Sequence, residues 1–256
     1  MARLHRQVMR VLLGDIASGT LKAGDRLPRE SDLAVHFGVS RGVVRECLRG
    51  LEERGLVVVR QGSGARVTPE GAWNILDADV LAVLLHSGHG TAALFELLEC
   101  RRVIEIEAAG LAAQRATGDE LSDLSDALAR MGAAAERVPG SQAAEDLFHL
   151  ADIAFHEAIF RAAHNRALLR MVQPIQKTLI NARRPLAAPE RRFERALPEH
   201  KAILSGIAGR DPVAARAAME VHLGTVESYL RAYSVRQDGR PPADGLEIED
   251  LDARFG

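Results

Sequence analysis

The chain has 256 residues, enough for two ordinary domains, because single cores usually run to about 100–200 residues. It is 47% hydrophobic, 27% charged and only 4% aromatic, a helix-forming composition, and two cysteines exclude a disulfide framework or a cysteine-built zinc site. Residues 1–70 hold 12 Lys and Arg against 8 Asp and Glu, leaving the net charge of −2 split as +4 in front and −6 behind, so a polyanion prefers the front end.

The first periodic segment, Leu4 to Ile16, reads as a helix ended by Ser18-Gly19-Thr20. Pro28, Glu30 and Asp32 mark the start of a short second helix whose apolar face is Leu33, Ala34 and Phe37, with Gly38 as its stop. Ser40 then caps a third helix. In it Val44, Leu48 and Leu51 form an apolar stripe while Arg41, Arg45 and Arg49 line up on another face, and Gly55 ends it. Leu56–Arg60, the turn Gln61-Gly62-Ser63-Gly64 and Ala65–Thr68 read as a β-wing.

Pro69 to Asp77 reads as a linker anchored by Trp73. Helical periodicity then covers 79–85, 92–115, 120–136, 143–163, 166–181, 191–206 and 212–233, with breakers at Gly88-His89-Gly90, Thr117-Gly118-Asp119, Pro139-Gly140-Ser141 and Pro185 to Pro189. Asp211-Pro212 is a cap and first-turn pair for the last helix. The expected architecture is mainly α: a winged helix–turn–helix DNA-binding domain over 1–69, a linker and connecting helix over 70–90, an all-helical effector-binding and dimerisation bundle over 91–235, and a flexible tail over 236–256. No apolar run reaches the roughly 20 residues of a membrane span, and the start is too short and amphipathic for a signal peptide, so the expected location is cytoplasmic with no membrane partner. Cys47 and Cys100 read as small apolar residues.

A helix–turn–helix needs a short helix, a small residue at the turn and a second helix that offers donors to bases and phosphates. The segment from Glu30 to Arg54 meets all three, and Arg60, Gln61 and Arg66 flank a glycine turn able to approach a groove closely. An arginine row on an isolated helix also reads as a plain solvated face. The run from Ile16 to Val67 resembles the winged helix–turn–helix of the GntR family of bacterial transcription regulators. Its landmarks are Gly24, Leu27-Pro28, Glu30, Leu33-Ala34, Gly38-Val39-Ser40-Arg41, Val44-Arg45, Leu48, Leu51, Gly55-Leu56 and Gln61-Gly62-Ser63-Gly64. The resemblance implies that Ser40, Arg41 and Arg45 contact a palindromic double-stranded operator and that the wing tip around Gln61 and Gly62 enters the minor groove. Where many members have arginine directly after Pro-x-Glu, this chain has Ser31, and Arg29 two positions earlier partly replaces it. Arg49 reads either as a phosphate contact or as an intrahelical partner of Glu46, Glu52 or Glu53.

Behind the linker, His149, Asp152 and His156 share one helix face, while His200 and His222 lie on two later helices. Three imidazoles with one carboxylate suit a divalent ion, zinc first with nickel or manganese as alternatives, although each histidine alone reads as readily as an ordinary core or surface residue. The contexts Asp152-Ile-Ala-Phe-His156, Glu199-His200 and Ala218-Met-Glu-Val-His222, with Leu97 to Glu105 before them, resemble the FCD effector domain of the FadR branch of the GntR family. That resemblance implies Asp152, His156, His200 and His222 as metal ligands. The stretch Trp73 to Leu81 resembles members that respond to sugar acids.

The expected function is therefore a homodimeric, ligand-responsive regulator, a repressor released by a small carboxylic acid bound at the metal. Arg101 is the candidate cation for that acid, with a surface ion pair to Glu105 as the alternative, and His149 is a further effector-contact candidate. The competing readings are a metal-dependent enzyme, against which there is no HExxH and no Glu-x-x-His, and a regulator that senses the metal itself.

Overall fold

The computed structural model describes residues 2–60, 62–88, 90–137, 141–183 and 192–237. In chain order these form α1 (Ala2–Ala17), α2 (Glu30–Phe37), α3 (Arg41–Glu53), β1 (Val57–Arg60), β2 (Gly64–Val67) and a single 3-10 turn at Glu70–Ala72. The remainder is helical: α4 (Ala78–His86), α5 (Gly90–Arg115), α6 (Gly118–Ala135), α7 (Gln142–Ala162), α8 (Arg166–Arg183), α9 (Arg192–Ala208) and α10 (Pro212–Gln237).

The front unit follows its local signals closely. Gly38 ends α2 in the left-handed region at φ 62°, and the Ser40 hydroxyl accepts from the Val43 amide at 3.3 Å to start α3. Pro28 lies just before the cap Arg29, two residues ahead of the first helical residue Glu30. Val44, Cys47, Leu48 and Leu51 are buried along one side of α3, against α1 and β1. The wing is an antiparallel pair in the register Val57↔Val67 to Arg60↔Gly64, extended by a bridge between Arg26 and Arg66. Gly55 has φ +76°, and the Ala72 carbonyl oxygen lies 2.1 Å from where a β-carbon would stand. Only glycine admits the linker that close to the end of α3.

In the rear unit α5 is the central element, packed by α4, α7, α8, α9 and α10. Small residues make this enclosure possible: Ala108, Ala109, Ala112 and Ala113 are fully buried. An exposed stripe of Glu96, Glu99, Val103 and Glu107 runs along α5, but Arg101 and Glu105 are buried with its apolar residues, so polarity does not separate its faces cleanly. Caps fix the neighbouring helices: Thr117 and Glu120 form a capping box on α6, Ser141 caps α7, and Asp211 accepts from Val213 and Ala214 at the start of α10.

Several expectations change. Cys47 is buried, but Cys100 is exposed on α5. Helix α8 runs through Pro174 to Arg183, and α10 continues to Gln237, two residues into the segment expected as tail. The expected breaks at Pro139-Gly140 and Pro185 to Pro189, and the tail from residue 238, lie outside the described residues. No helix among the described residues is long and apolar enough to cross a membrane.

Candidate metal centre and nucleic-acid interface

At the front, the amphipathic period that buries the apolar side of α3 leaves Arg41, Arg45 and Arg49 exposed, together with Ser40 at the helix start and Arg29 at the cap of α2. Arg45 donates from Nε and Nη2 to Glu30 Oε2 at 3.2 and 3.0 Å, a pair open to solvent on both sides. Such a screened pair is cheap to exchange for a phosphate or a base edge. Arg49 bonds Glu46 at 3.0 Å, the intrahelical alternative expected for it. Gly62 is exposed at φ +77° with open space around its α-carbon, while Gln61 lies outside the described residues.

At the rear, three helices bring their polar residues to one buried point. Asp152 and His156 sit one turn apart on α7, His200 comes from α9 and His222 from α10. One ligand atom from each lies within 4.8 Å of the others, and all four residues are buried. The His156 and His200 rings meet edge to face at 5.4 Å, and those of His200 and His222 at 4.4 Å.

The outer nitrogens explain which way the rings face. His200 Nδ1 stands 2.7 Å from the Ala196 carbonyl oxygen, His222 Nδ1 stands 3.1 Å from Glu199 Oε2, and His156 Nδ1 stands 2.7 Å from Glu105 Oε2. Each of these partners can only accept, so the proton belongs on Nδ1 and the Nε2 lone pair is turned inward. His156 Nε2 and His200 Nε2 are buried with no hydrogen-bond partner, Asp152 Oδ1 faces His200 Nε2 at 3.0 Å, and His156 Nδ1 meets Glu105 Oε2 as a close charge contact rather than an aligned hydrogen bond. Burial, and then the neighbouring His200 and His156, hold His222 well below the usual histidine range, which keeps it as the neutral imidazole that ligates metal. Inward lone pairs beside a carboxylate, sealed from water, form an electron-rich point that fits a divalent cation.

Residues 4–67 match the family described as bacterial regulatory proteins, gntR family, and residues 96–225 match the FCD domain. The chain is 34% identical over 223 residues to the HTH-type transcriptional regulator LutR of Bacillus subtilis, covering 85% of this chain and 97% of LutR. It is 32% identical over 206 residues to the galactonate operon transcriptional repressor of Escherichia coli, covering 79% and 86%. The chain belongs to the GntR family and carries an FCD domain. Among solved structures, Lar of Listeria monocytogenes, described as controlling expression of the agr system, aligns over 91% of this chain and 96% of its own with a TM-score of 0.61. At 20% identity that likeness shows the fold alone.

This GntR-family protein is thus a DNA-binding regulator of transcription, and the metal-dependent enzyme alternative is set aside because the family and the matched relatives are regulators. The two effector candidates of its rear site lie outside the group of four. Arg101, on α5, is buried rather than at a surface, with Nε 2.5 Å from Glu105 Oε1 and Nη2 3.2 Å from Oε2. His149 lies outside the group of four, with Nε2 3.6 Å from Glu145 and its ring against Phe148 and Phe193.

In the sequence Glu105 reads only as a surface partner for Arg101 and Glu199 only as the neighbour of His200, and nothing singles out Thr225. Glu105 links Arg101 to His156, and although burial alone would raise its carboxyl, Arg101 and His156 hold it well below the usual carboxylate range. Glu199 backs His222 and also accepts from Thr225 at 2.7 Å. A small pocket beside the cluster is lined by Asp152, His222, Glu199, Thr225, Tyr229 and Phe148. The i, i+4 spacing of Arg101 and Glu105 gives the pair itself but not its burial or its reach to His156.

Proposed function

We propose that this regulator is a homodimeric repressor that leaves its palindromic operator when a small carboxylic acid, of the sugar-acid class, binds beside a divalent ion in the bundle. The observation that carries the reading is the buried convergence of Asp152, His156, His200 and His222 beside a small pocket that joins polar residues to Phe148, Ala196 and Val226. These four residues would hold the ion, zinc before nickel or manganese given three imidazoles and no thiolate. Such an ion supplies Lewis acidity and open positions for a carboxylate or hydroxycarboxylate. Relatives named for a galactonate operon and for uxu operons favour the sugar-acid class, galactonate being itself a sugar acid.

On the operator, Arg41 and Arg45 would read bases or phosphates from the start of α3, Ser40 and Arg29 would meet backbone, and the wing tip at Gly62 would approach the minor groove. Arg49 would reach a phosphate by exchanging Glu46. A physical connection between the halves is available. Arg54, capping α3, pairs with Asp77 at 3.1 Å and Asp79 at 3.3 Å, and Asp77 in turn caps α4. Thr178 of α8 donates to the Leu76 carbonyl at 2.6 Å, and α8 packs on α7, the helix that bears Asp152 and His156. Release requires that the acid bind the DNA-free arrangement more tightly than the bound one.

The test is a gel shift of the full chain on the DNA upstream of its own gene, against a panel of aldonates and uronates, with and without a chelator. Release by one acid class that disappears with the chelator supports the reading. Release by the chelator alone points to the metal as the signal. Release by an acid that ignores the chelator overturns the metal's part in it.

A further inference from the structure

We infer that the buried Arg101–Glu105 pair is a positioning device for His156, tying the central helix α5 to the metal centre, rather than a cation reserved for the effector. This rests on the metal reading above.

The three ligand histidines are held from behind in three different ways. His200 is backed by a main-chain carbonyl of its own helix, and His222 by Glu199 of α9, whose side chain borders the pocket. His156 alone is backed from α5, a helix that contributes none of the four ligands. Its backing group is itself gripped by a cation. Arg101 engages both oxygens of Glu105 in a fork, and Glu105 Oε2 turns to His156 Nδ1 at 2.7 Å. Arg101, Glu105 and His156 side chains are all at most 3% exposed.

Two consequences follow from this arrangement. A carboxylate 2.7 Å from Nδ1 favours the proton on that nitrogen, opposes turning the ring's other edge inward and makes Nε2 a better donor to a cation. The fork leaves the Arg101 guanidinium engaged with Glu105, and Arg101 does not line the pocket. The counter-charge for an acid at the pocket then comes from the bound cation or from elsewhere in the wall.

The experiment measures zinc affinity of the full-length protein by competition with a chromophoric chelator, together with the rise in Tm when zinc is added to the metal-free form. The variants are Glu105→Gln, which keeps the shape and an acceptor but loses the charge, and Arg101→Lys, which keeps the charge but loses the fork. Zinc affinity is expected to fall about 10–100-fold in Glu105→Gln and several-fold in Arg101→Lys, with a smaller zinc-induced rise in Tm in each. Glu105→Asp is expected to recover part of the loss. If Glu105→Gln does not fold, Arg101→Lys alone decides. Zinc affinity equal to wild type in the folded variants overturns the positioning role. An Arg101→Lys variant that loses only the response to acid, with zinc affinity intact, restores Arg101 to the effector. Failure of the wild type itself to take up zinc overturns the metal reading and this inference with it.

Discussion

Arg45 and Arg101 each pair with a glutamate, and the two pairs divide the molecule by how each half uses charge. The Arg45–Glu30 pair stands in water on the face of α3, screened and readily exchanged for a polyanion. The Arg101–Glu105 pair is sealed in the bundle, where an exchange would strand a charge in a dry interior. A surface pair is a parking position for a side chain that acts elsewhere. A buried pair is a fixture that holds its neighbours.

That contrast can be broken most forcefully at Arg45. Both copies in a dimer would lose a contact worth about 1–3 kcal/mol each, so Arg45→Ala is expected to weaken operator binding by ~100-fold or more while Tm and dimer mass stay put. A gel shift with wild-type affinity would return the arginine row to the status of a solvated face. In the rear half, His200→Ala is expected to leave operator affinity within a few-fold of wild type and to abolish release by the acid, read in the same assay. Retained release would separate the effector from the four-residue centre.

Arg54→Ala sharpens the comparison because Arg54 sits between the halves. Its loss should reduce the factor by which the acid weakens operator binding, without altering metal content, and an unchanged factor would exclude this route of communication. Packing changes are smaller in functional reach but readily measured. A β-carbon on Gly206 would come within 2.7 Å of the Ala215 amide nitrogen, backbone that cannot swing aside, so Gly206→Ala should cost about 1–3 kcal/mol in urea unfolding. Ser40→Ala removes the α3 cap and should cost about 1 kcal/mol by the same measurement.

The two halves also differ in how far their sequences disclose them. Helix α3 is legible because one side is wet: the apolar stripe of Val44, Leu48 and Leu51 and the arginine row beside it follow from a single period, and Ser40 and Gly38 mark its ends. The cluster of Asp152, His156, His200 and His222 was legible because its local contexts resemble those of the FCD domain. Helix α5 was not legible in the same way. Its buried side carries the charges of Arg101 and Glu105 while its exposed side carries Val103, so nothing in the spacing says that Glu105 turns inward to His156 or that Cys100, one residue before buried Arg101, is exposed. The approach of Ala72 to Gly55 is likewise a tertiary fact, since Gly55 alone signals only a helix end.

The most direct measurement is the metal content of the full-length protein by mass spectrometry after loading with zinc and exhaustive desalting. One tightly held divalent ion per chain is expected, lost in His200→Ala and retained in Arg45→Ala. A wild-type chain that emerges without metal, or a His200→Ala chain that keeps it, would contradict the account.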